Sequence, residues 1–288
     1  MSEAKIGIIG GSGLYEMEGM TEVEEVKIST PFGEPSDAVL LGNLAGVRIA
    51  FLPRHGRGHQ ISPSELPVKA NIYALKSLGV ERIISVNAVG SLKEEIKPLD
   101  LVIPDQLIDR TMGRDSTFFT NGIVAHIAFA EPFCPVLSQI LFEAATEAGA
   151  KVHKGGIHLA MEGPQFSTKA ESELYRSWGA DIVSMTLLPE AKLAREAEIC
   201  YAVLALVTDL DCWHPDYGSV TTEMIFSNLQ KCVEAARKIL KLIMLRIPQK
   251  RDCACATALK NAIATSPKYI PEKRKEDLDL LIGKYLSK

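Results

Sequence analysis

The sequence predicts an α/β fold, a single domain with a central mixed, largely parallel sheet flanked by helices. Three observations carry that expectation. Short β-branched runs alternate along the chain with longer segments of helical periodicity. Some of the runs, 202–208 (AVLALVT) above all, are apolar throughout, as strands are when helices cover both faces of a parallel sheet. Several runs also end directly in glycine-bearing polar clusters, and α/β folds bind their ligands at strand ends.

Taken in order, 5–9 (KIGII) is a buried strand ended by glycines, and 47–52 (VRIAFL) is a strand ended by Pro53. Val68, Ile72 and Leu75 give 67–78 the spacing of a helix. Residues 82–86 (RIISV) form a strand ended by Gly90, and 101–103 a strand stopped by Pro104. An amphipathic helix spans 135–148, a strand 156–161, a helix 169–178 and a strand 181–185. A helix starts over 191–197, the apolar strand 202–208 follows, and 221–246 is a long helix. Residues 1–248 then form the main domain. Residues 249–288 form a C-terminal extension packed on it, with Pro267, Pro271, a solvated charged run at 272–277 and a final helix.

Composition narrows the function. With 288 residues, 47% of them hydrophobic, the chain can bury a large core. A net charge of −4 with no long basic run argues against nucleic acid as a partner. The longest apolar run, 199–207, is far short of the roughly 20 residues that cross a bilayer, and no signal pattern opens the chain, so a soluble cytoplasmic protein without a membrane partner is expected.

Of six cysteines, Cys134, Cys200, Cys212, Cys232, Cys253 and Cys255, each reads plainly as a buried reduced thiol. The Cys253-Ala254-Cys255 pair stands apart. A strained disulfide or redox pair is its sharper reading, with Cys134–Cys200 as a second candidate pair. No metal site is expected, because zinc would want two more ligands nearby and no His or Cys follows Cys255.

Five clusters carry chemistry. Gly10-Gly11-Ser12-Gly13 follows the first strand, where free amides and the Ser12 hydroxyl can hold an anion; its spacing fits neither a dinucleotide fingerprint nor a P-loop. A tight turn would need the same glycines. Arg54-His55-Gly56-Arg57-Gly58-His59 forms a compact cationic loop suited to phosphate. Asn87-Ala88-Val89-Gly90-Ser91 reads as a corner whose amides bind an anion, or as a simple turn. Met161-Glu162-Gly163-Pro164-Gln165-Phe166 places a carboxylate for ribose hydroxyls beside a ring that can stack on a base. Thr208-Asp209-Leu210-Asp211 ends the most apolar strand with two carboxylates, which need a task because unpaired buried charge is costly. An acid–base pair, a helix cap and a Mg²⁺ site are the readings open for it.

Together, GIIGGSGL (7–14), PRHGRGH (53–59), NAVGSL (87–92), MEGPQFS (161–167), SMTLLPEAKLAREAEICYA (184–202) and TDLDCW (208–213) resemble the methylthioadenosine phosphorylases of the purine nucleoside phosphorylase superfamily, over about residues 5–248. The tail resembles that of thermophilic members, some of which carry a Cys-x-Cys pair. The resemblance implies a single α/β domain and a homotrimer or dimer of trimers with sites near subunit interfaces. It implies phosphate held by Ser12, Arg54, His55 and the Asn87–Ala88 backbone, ribose contacts around Met185 and Thr186, Phe166 on the base, and Asp209 and Asp211 reading the purine. His126 matches a residue reaching the 5' pocket of a neighbouring subunit. Val220, Thr222 and Phe226 line that pocket, and Thr222 replaces an apolar residue, so adenosine is a second substrate to test. Ser12 and Asn87 stand where other members carry Thr.

The implied reaction is phosphorolysis of 5'-methylthioadenosine to adenine and 5-methylthioribose-1-phosphate in purine and methionine salvage. Phosphate is a co-substrate, and no cofactor or metal is implied. Asp209 is expected to donate a proton to purine N7 while Asp211 receives the 6-amino group. The alternatives are a phosphorylase for methylthioinosine or another 6-oxopurine nucleoside, a nucleoside hydrolase that needs no phosphate, and a non-enzymatic nucleoside sensor.

Overall fold

The computed structural model describes residues 4–11, 13–14, 17–214 and 221–286, with the side chains of Thr222 and Met224 excepted. Ser12 and Val220 lie outside the described residues. Among those described, eleven strands form one mixed sheet: β1 (Ile6–Gly10), β2 (Met20–Val26), β3 (Val39–Leu44), β4 (Val47–Pro53), β5 (Arg82–Ser91), β6 (Leu101–Ile103), β7 (Gln106–Arg110), β8 (Val152–Lys154), β9 (Ile157–Met161), β10 (Ile182–Ser184) and β11 (Cys200–Asp209). The helices are α1 (Val68–Ser77), α2 (Pro135–Glu147), α3 (Lys169–Ser177), α4 (Glu190–Glu196), α5 (Thr222–Met244) and α6 (Glu272–Leu286).

The expected strands and helices are present. The strands missing from the sequence reading are β2, β3, β7 and β8, and β2 shows why: MTEVEEV is an edge strand with its side chains largely in solvent, so no buried face writes a period-two pattern into it. Pairing is parallel for β1–β4, β1–β5, β5–β11, β9–β10, β7–β9 and β6–β8, and antiparallel elsewhere.

Alternate residues of the central strands feed two cores. Ile9, Val203, Ala205 and Val207 pack with α1, α4 and α6 residues on one face, while Ile8, Ala202, Leu204 and Leu206 pack with α2 and α5 on the other. The tail joins the second core at Cys253 and Cys255 and the first core from Leu259 onward. The run at 272–277, expected in solvent, opens α6, whose Leu278, Leu281 and Ile282 are buried against that core together with Leu259 and Ile270. No helix among the described residues is long and apolar enough to cross a membrane.

One strand organises the site. The first half of β5 is flanked by β1 and β11, with Gly10 paired to Val86, where β1 ends. On that same side β10 joins only at Gly90 and Ser91. Residues 87–89 therefore keep one edge open between two neighbours. The expectation of a corner at Asn87–Ser91 is corrected: the segment is strand.

Candidate active site

A cavity of about 350 Å³ opens where six strands end. Gly11 follows β1, Arg54 and His55 follow β4, Ala88 and Gly90 are on β5, Met161 ends β9, Met185 and Thr186 follow β10, and Thr208, Asp209 and Asp211 lie at the end of β11. Ile225, Phe226 and Leu229 of α5 supply an apolar wall, and Phe166 lines the mouth, 43% exposed.

The open edge of β5 explains one side. Residues of a strand alternate the direction of their N–H and C=O groups. The Val86 carbonyl accepts from Arg54 Nη1 at 3.0 Å, so it faces the β4 side, and Ala88, two residues on, faces the same way into the gap. Asn87 faces β11 with its main chain. Its side chain donates from Nδ2 to Thr186 Oγ1 at 3.0 Å, and its Oδ1 lies 2.9 Å from Ser85 Oγ. Ala88 therefore presents a backbone amide to the cavity, and Asn87, which does not line it, orients Thr186, which does.

Arg54 is 1% exposed and held from several directions. Its guanidinium forks onto Glu190, with Nη2 3.2 Å from Oε2, and Nη2 also donates to Ser85 Oγ at 2.6 Å. Tyr201 donates to the same Glu190 oxygen at 2.8 Å. The pair neutralises a cation that would otherwise be too costly to bury and fixes its rotamer. Gly11 belongs to this arrangement, since a Cβ there would stand 3.2 Å from Arg54 Nη1.

The rest of the expected cationic loop is not cationic toward the cavity. Arg57 turns outward to Glu25 and Asp37. His55 donates from Nδ1 to the Ile61 carbonyl at 2.8 Å and stacks on His59, with ring centroids 4.2 Å apart. Burial lowers its pKa to about 4, so the ring is neutral at neutral pH with Nε2 as its acceptor. Burial also lowers the pKa of His59.

The carboxylates line the same cavity from the end of β11. Asp209 and Asp211 are each 5% exposed. Asp209 accepts from the Asp211 amide at 2.9 Å and from Thr208 Oγ1 at 2.7 Å, yet burial still raises its pKa to about 6. Burial raises Asp211 too. The hydroxyls of Ser167 and Ser172 soften that rise without making a hydrogen bond of ordinary geometry, and Asp211 Oδ2 is buried with no partner. Gly90 permits the crowding, because a Cβ there would lie 2.8 Å from Asp209 Oδ1.

Other expectations are redistributed. Glu162, expected at ribose hydroxyls, does not line the cavity. It binds Arg114, the Ser64 hydroxyl and the Met112 amide, which fixes the loop that carries Gly163 under Met185. His126 is exposed, hydrogen-bonds through its amide to Ala262, and does not line this chain's own cavity. The Thr222 side chain lies outside the described residues. Sequence reasoning missed Glu190, Ser85 and Tyr201. The signal for Glu190 was present: a carboxylate among small apolar residues in PEAKLA has no amphipathic reason to be there.

The expected disulfides are also corrected. All six cysteines are free thiols, and Cys134, Cys200, Cys253 and Cys255 come together, with Cys200 Sγ 3.2 Å from Cys253 Sγ, a contact that belongs to neither expected pair.

Residues 5–244 match the family model described as the phosphorylase superfamily. The S-methyl-5'-thioadenosine phosphorylase of Koribacter versatilis is 56% identical, over 98% of this chain and 97% of its own length. The crystal structure of a methylthioadenosine phosphorylase from an antarctic soil metagenomic library superposes with a TM-score of 0.93 at 50% identity, over 98% of this chain and 99% of that one. A point mutant of the adenosine/methylthioadenosine phosphorylase from Schistosoma mansoni, in complex with methylthioadenosine, gives 0.81 at 38% identity, over 86% of this chain and 93% of that one.

Proposed function

This chain belongs to the phosphorylase superfamily, among its methylthioadenosine phosphorylases, and we propose that it cleaves 5'-methylthioadenosine with inorganic phosphate to adenine and 5-methylthioribose-1-phosphate. The observation that carries the reading is one cavity that brings together a buried arginine, an open strand edge, an unpartnered carboxylate oxygen and a proton-retaining carboxyl.

As the bond from purine to ribose stretches, the sugar becomes cation-like and the base anion-like. Phosphate must therefore be close to C1', and the leaving base must be neutralised. Arg54, the Ala88 amide and Ser12 are the proposed phosphate donors. Neutral His55, with Nε2 as an acceptor, suits a phosphate oxygen that carries its own proton. Met185 and Thr186 border the ribose, and Phe166 packs on the base. Asp209 gives its proton to N7. Asp211 Oδ2 takes a hydrogen of the 6-amino group, which a 6-oxo base cannot offer, so aminopurines are favoured. Phosphate is the co-substrate, and this chemistry draws on no cofactor or metal.

The proposed assembly is a homotrimer or dimer of trimers in the cytoplasm, working in purine and methionine salvage. His126, exposed and outside its own cavity, there reaches the 5' pocket of a neighbouring subunit, and Thr222 and Phe226 border the same pocket, which admits adenosine beside the methylthio nucleoside. The test is release of base from methylthioadenosine, adenosine and inosine, each with and without phosphate. Adenine from the first two only when phosphate is present is the expected result. Hypoxanthine as the faster product, or release that ignores phosphate, refutes the reading.

A further inference from the structure

Four thiols from three distant stretches of chain meet at the end of β11 opposite the active site. Cys200 is the first residue of that strand, about 30 Å from Asp209 at the rise of a β-strand. Cys134 is the residue that precedes the first turn of α2, and its side chain makes no capping bond. Cys253 and Cys255 flank Ala254 where the tail crosses the domain, in and just before a 3-10 turn. Their sulfurs all lie within 4.8 Å of one another.

We propose that Cys134, Cys200, Cys253 and Cys255 together bind one zinc ion as four thiolate ligands, stapling the C-terminal extension to the domain. A tetrahedral zinc tetrathiolate has metal–sulfur bonds of about 2.3 Å, which puts its sulfurs about 3.8 Å apart, the separation range found here. Tetrahedral all-sulfur donor sets favour zinc or iron–sulfur centres. A four-iron cluster, with its own irons and sulfides to seat between the thiolates, needs them farther apart than this.

The surroundings match such a site. Zinc with four thiolates carries a net charge of −2, and the small cavity beside Cys134, Cys200 and Cys253 is lined by Arg82, Lys250 and Arg251 with one carboxylate, Asp252. Cys134 stands at the positive end of a helix, which favours a thiolate. The scaffold is fixed: the Cys134 amide donates to Tyr201, the Cys200 amide to Glu81, and Arg251 reaches the Glu198 carbonyl at 2.8 Å. Pairwise oxidation explains the arrangement less well. Disulfides join thiols two by two, whereas all four sulfurs here lie within 4.8 Å of one another and form a single group.

The site also explains why the tail follows its path. Immediately after Cys255, Leu259 donates to Glu198, and Ala262 and Ala264 pair with His126 and Val124. A metal at residues 253–255 anchors the strap where it starts, and α6 anchors it where it ends.

The test uses the full-length protein, purified under reducing conditions without chelator from zinc-supplemented cells. Elemental analysis should give one zinc per chain, and all six cysteines should titrate once the protein is unfolded in chelator. Cobalt in place of zinc should show the intense visible bands of a tetrahedral thiolate complex. Cys253→Ser should lose zinc on dialysis and melt several degrees lower, with kcat for phosphorolysis unchanged. Wild-type metal content and thiol titration decide the matter even if that variant fails to fold. Thiol counts in which only Cys212 and Cys232 titrate, or six free thiols with no metal retained after zinc loading, overturn the proposal.

Discussion

The two ends of β11 close one buried strand of ten residues, and they are built by different routes. At the Asp209 end, most of the polar groups that line the cavity come from short local motifs placed where strands stop. At the Cys200 end, the polar groups are brought together by tertiary structure alone, from residues 134, 200 and 253–255. The first end is a place where the fold leaves a stretch of strand edge open and one carboxylate oxygen, Asp211 Oδ2, without a partner. The second is one where four side chains partner one another. An open site is built for a ligand that comes and goes, and a closed one for holding the chain together.

The largest expected effect breaks the first end and spares the second. Asp209→Asn removes the proton but keeps the shape, and should lower kcat/KM for methylthioadenosine by about 10²–10³-fold, with little change in Tm. The pH profile carries the sign. Asp209 must hold its proton to act, its pKa lies near 6, and the protonated fraction falls as pH rises through that value, so wild-type kcat/KM should decline on the alkaline side. That limb should be absent in the variant. A variant with wild-type turnover, or with the same alkaline limb, removes Asp209 from the chemistry.

This contrast also separates what could be read in the sequence from what could not. Gly11, Arg54, His55, Asp209 and Asp211 were legible as residues that line the cavity because each stands in a local string at a strand end. Asn87 was legible as a place and misread as a role: one strand of alternating direction sends the Ala88 amide to the cavity and the Asn87 side chain to a neighbour. The partner of Glu190 and the assembly of the thiol cluster were illegible for a different reason. Arg54 lies 136 residues from Glu190, and the four thiols are drawn from positions 134 to 255, so nothing in local spacing reports contacts of that kind. The sequence reading looks for further ligands after Cys255, whereas the two thiols that meet Cys253 and Cys255 precede them in the chain.

A smaller effect sharpens the role of those long-range partners. Glu190→Gln leaves Arg54 buried and positively charged without its counter-ion. Removing one partner of a buried pair costs about 3–5 kcal/mol. Because Arg54 also loses its fixed orientation, the KM for phosphate should rise about tenfold or more, while kcat at saturating phosphate changes less. Measuring KM for phosphate and for the nucleoside separately checks this. An increase confined to the nucleoside would mean that Glu190 serves the wrong substrate for this account.

The smallest effect concerns a carboxyl that burial perturbs as it does Asp209, but outside the site. Glu196 ends α4 and accepts from Thr117 Oγ1 and from the Phe118 amide, both at 2.7 Å. Burial still raises its pKa to about 7, and a negative charge in the last turn of a helix adds to the reluctance to ionise. In the unfolded chain the same group titrates near the ordinary glutamate value. A raised folded pKa means that the native state holds the proton more tightly than the unfolded state does. Its stabilising contribution is therefore complete below about pH 4.5 and is lost as pH rises through about 7. Glu196→Gln keeps an acceptor for the Phe118 amide and offers a donor to the Thr117 hydroxyl, so it imitates the protonated form at every pH. The expected result is that wild-type Tm falls by a few degrees more than the variant's between pH 5 and pH 8, with kcat unaffected. Parallel melting curves across that range would show that the Glu196 proton is not what the fold retains. A change in kcat would show that Glu196, which does not line the cavity, is not as separate from the raised carboxyls there as the geometry makes it.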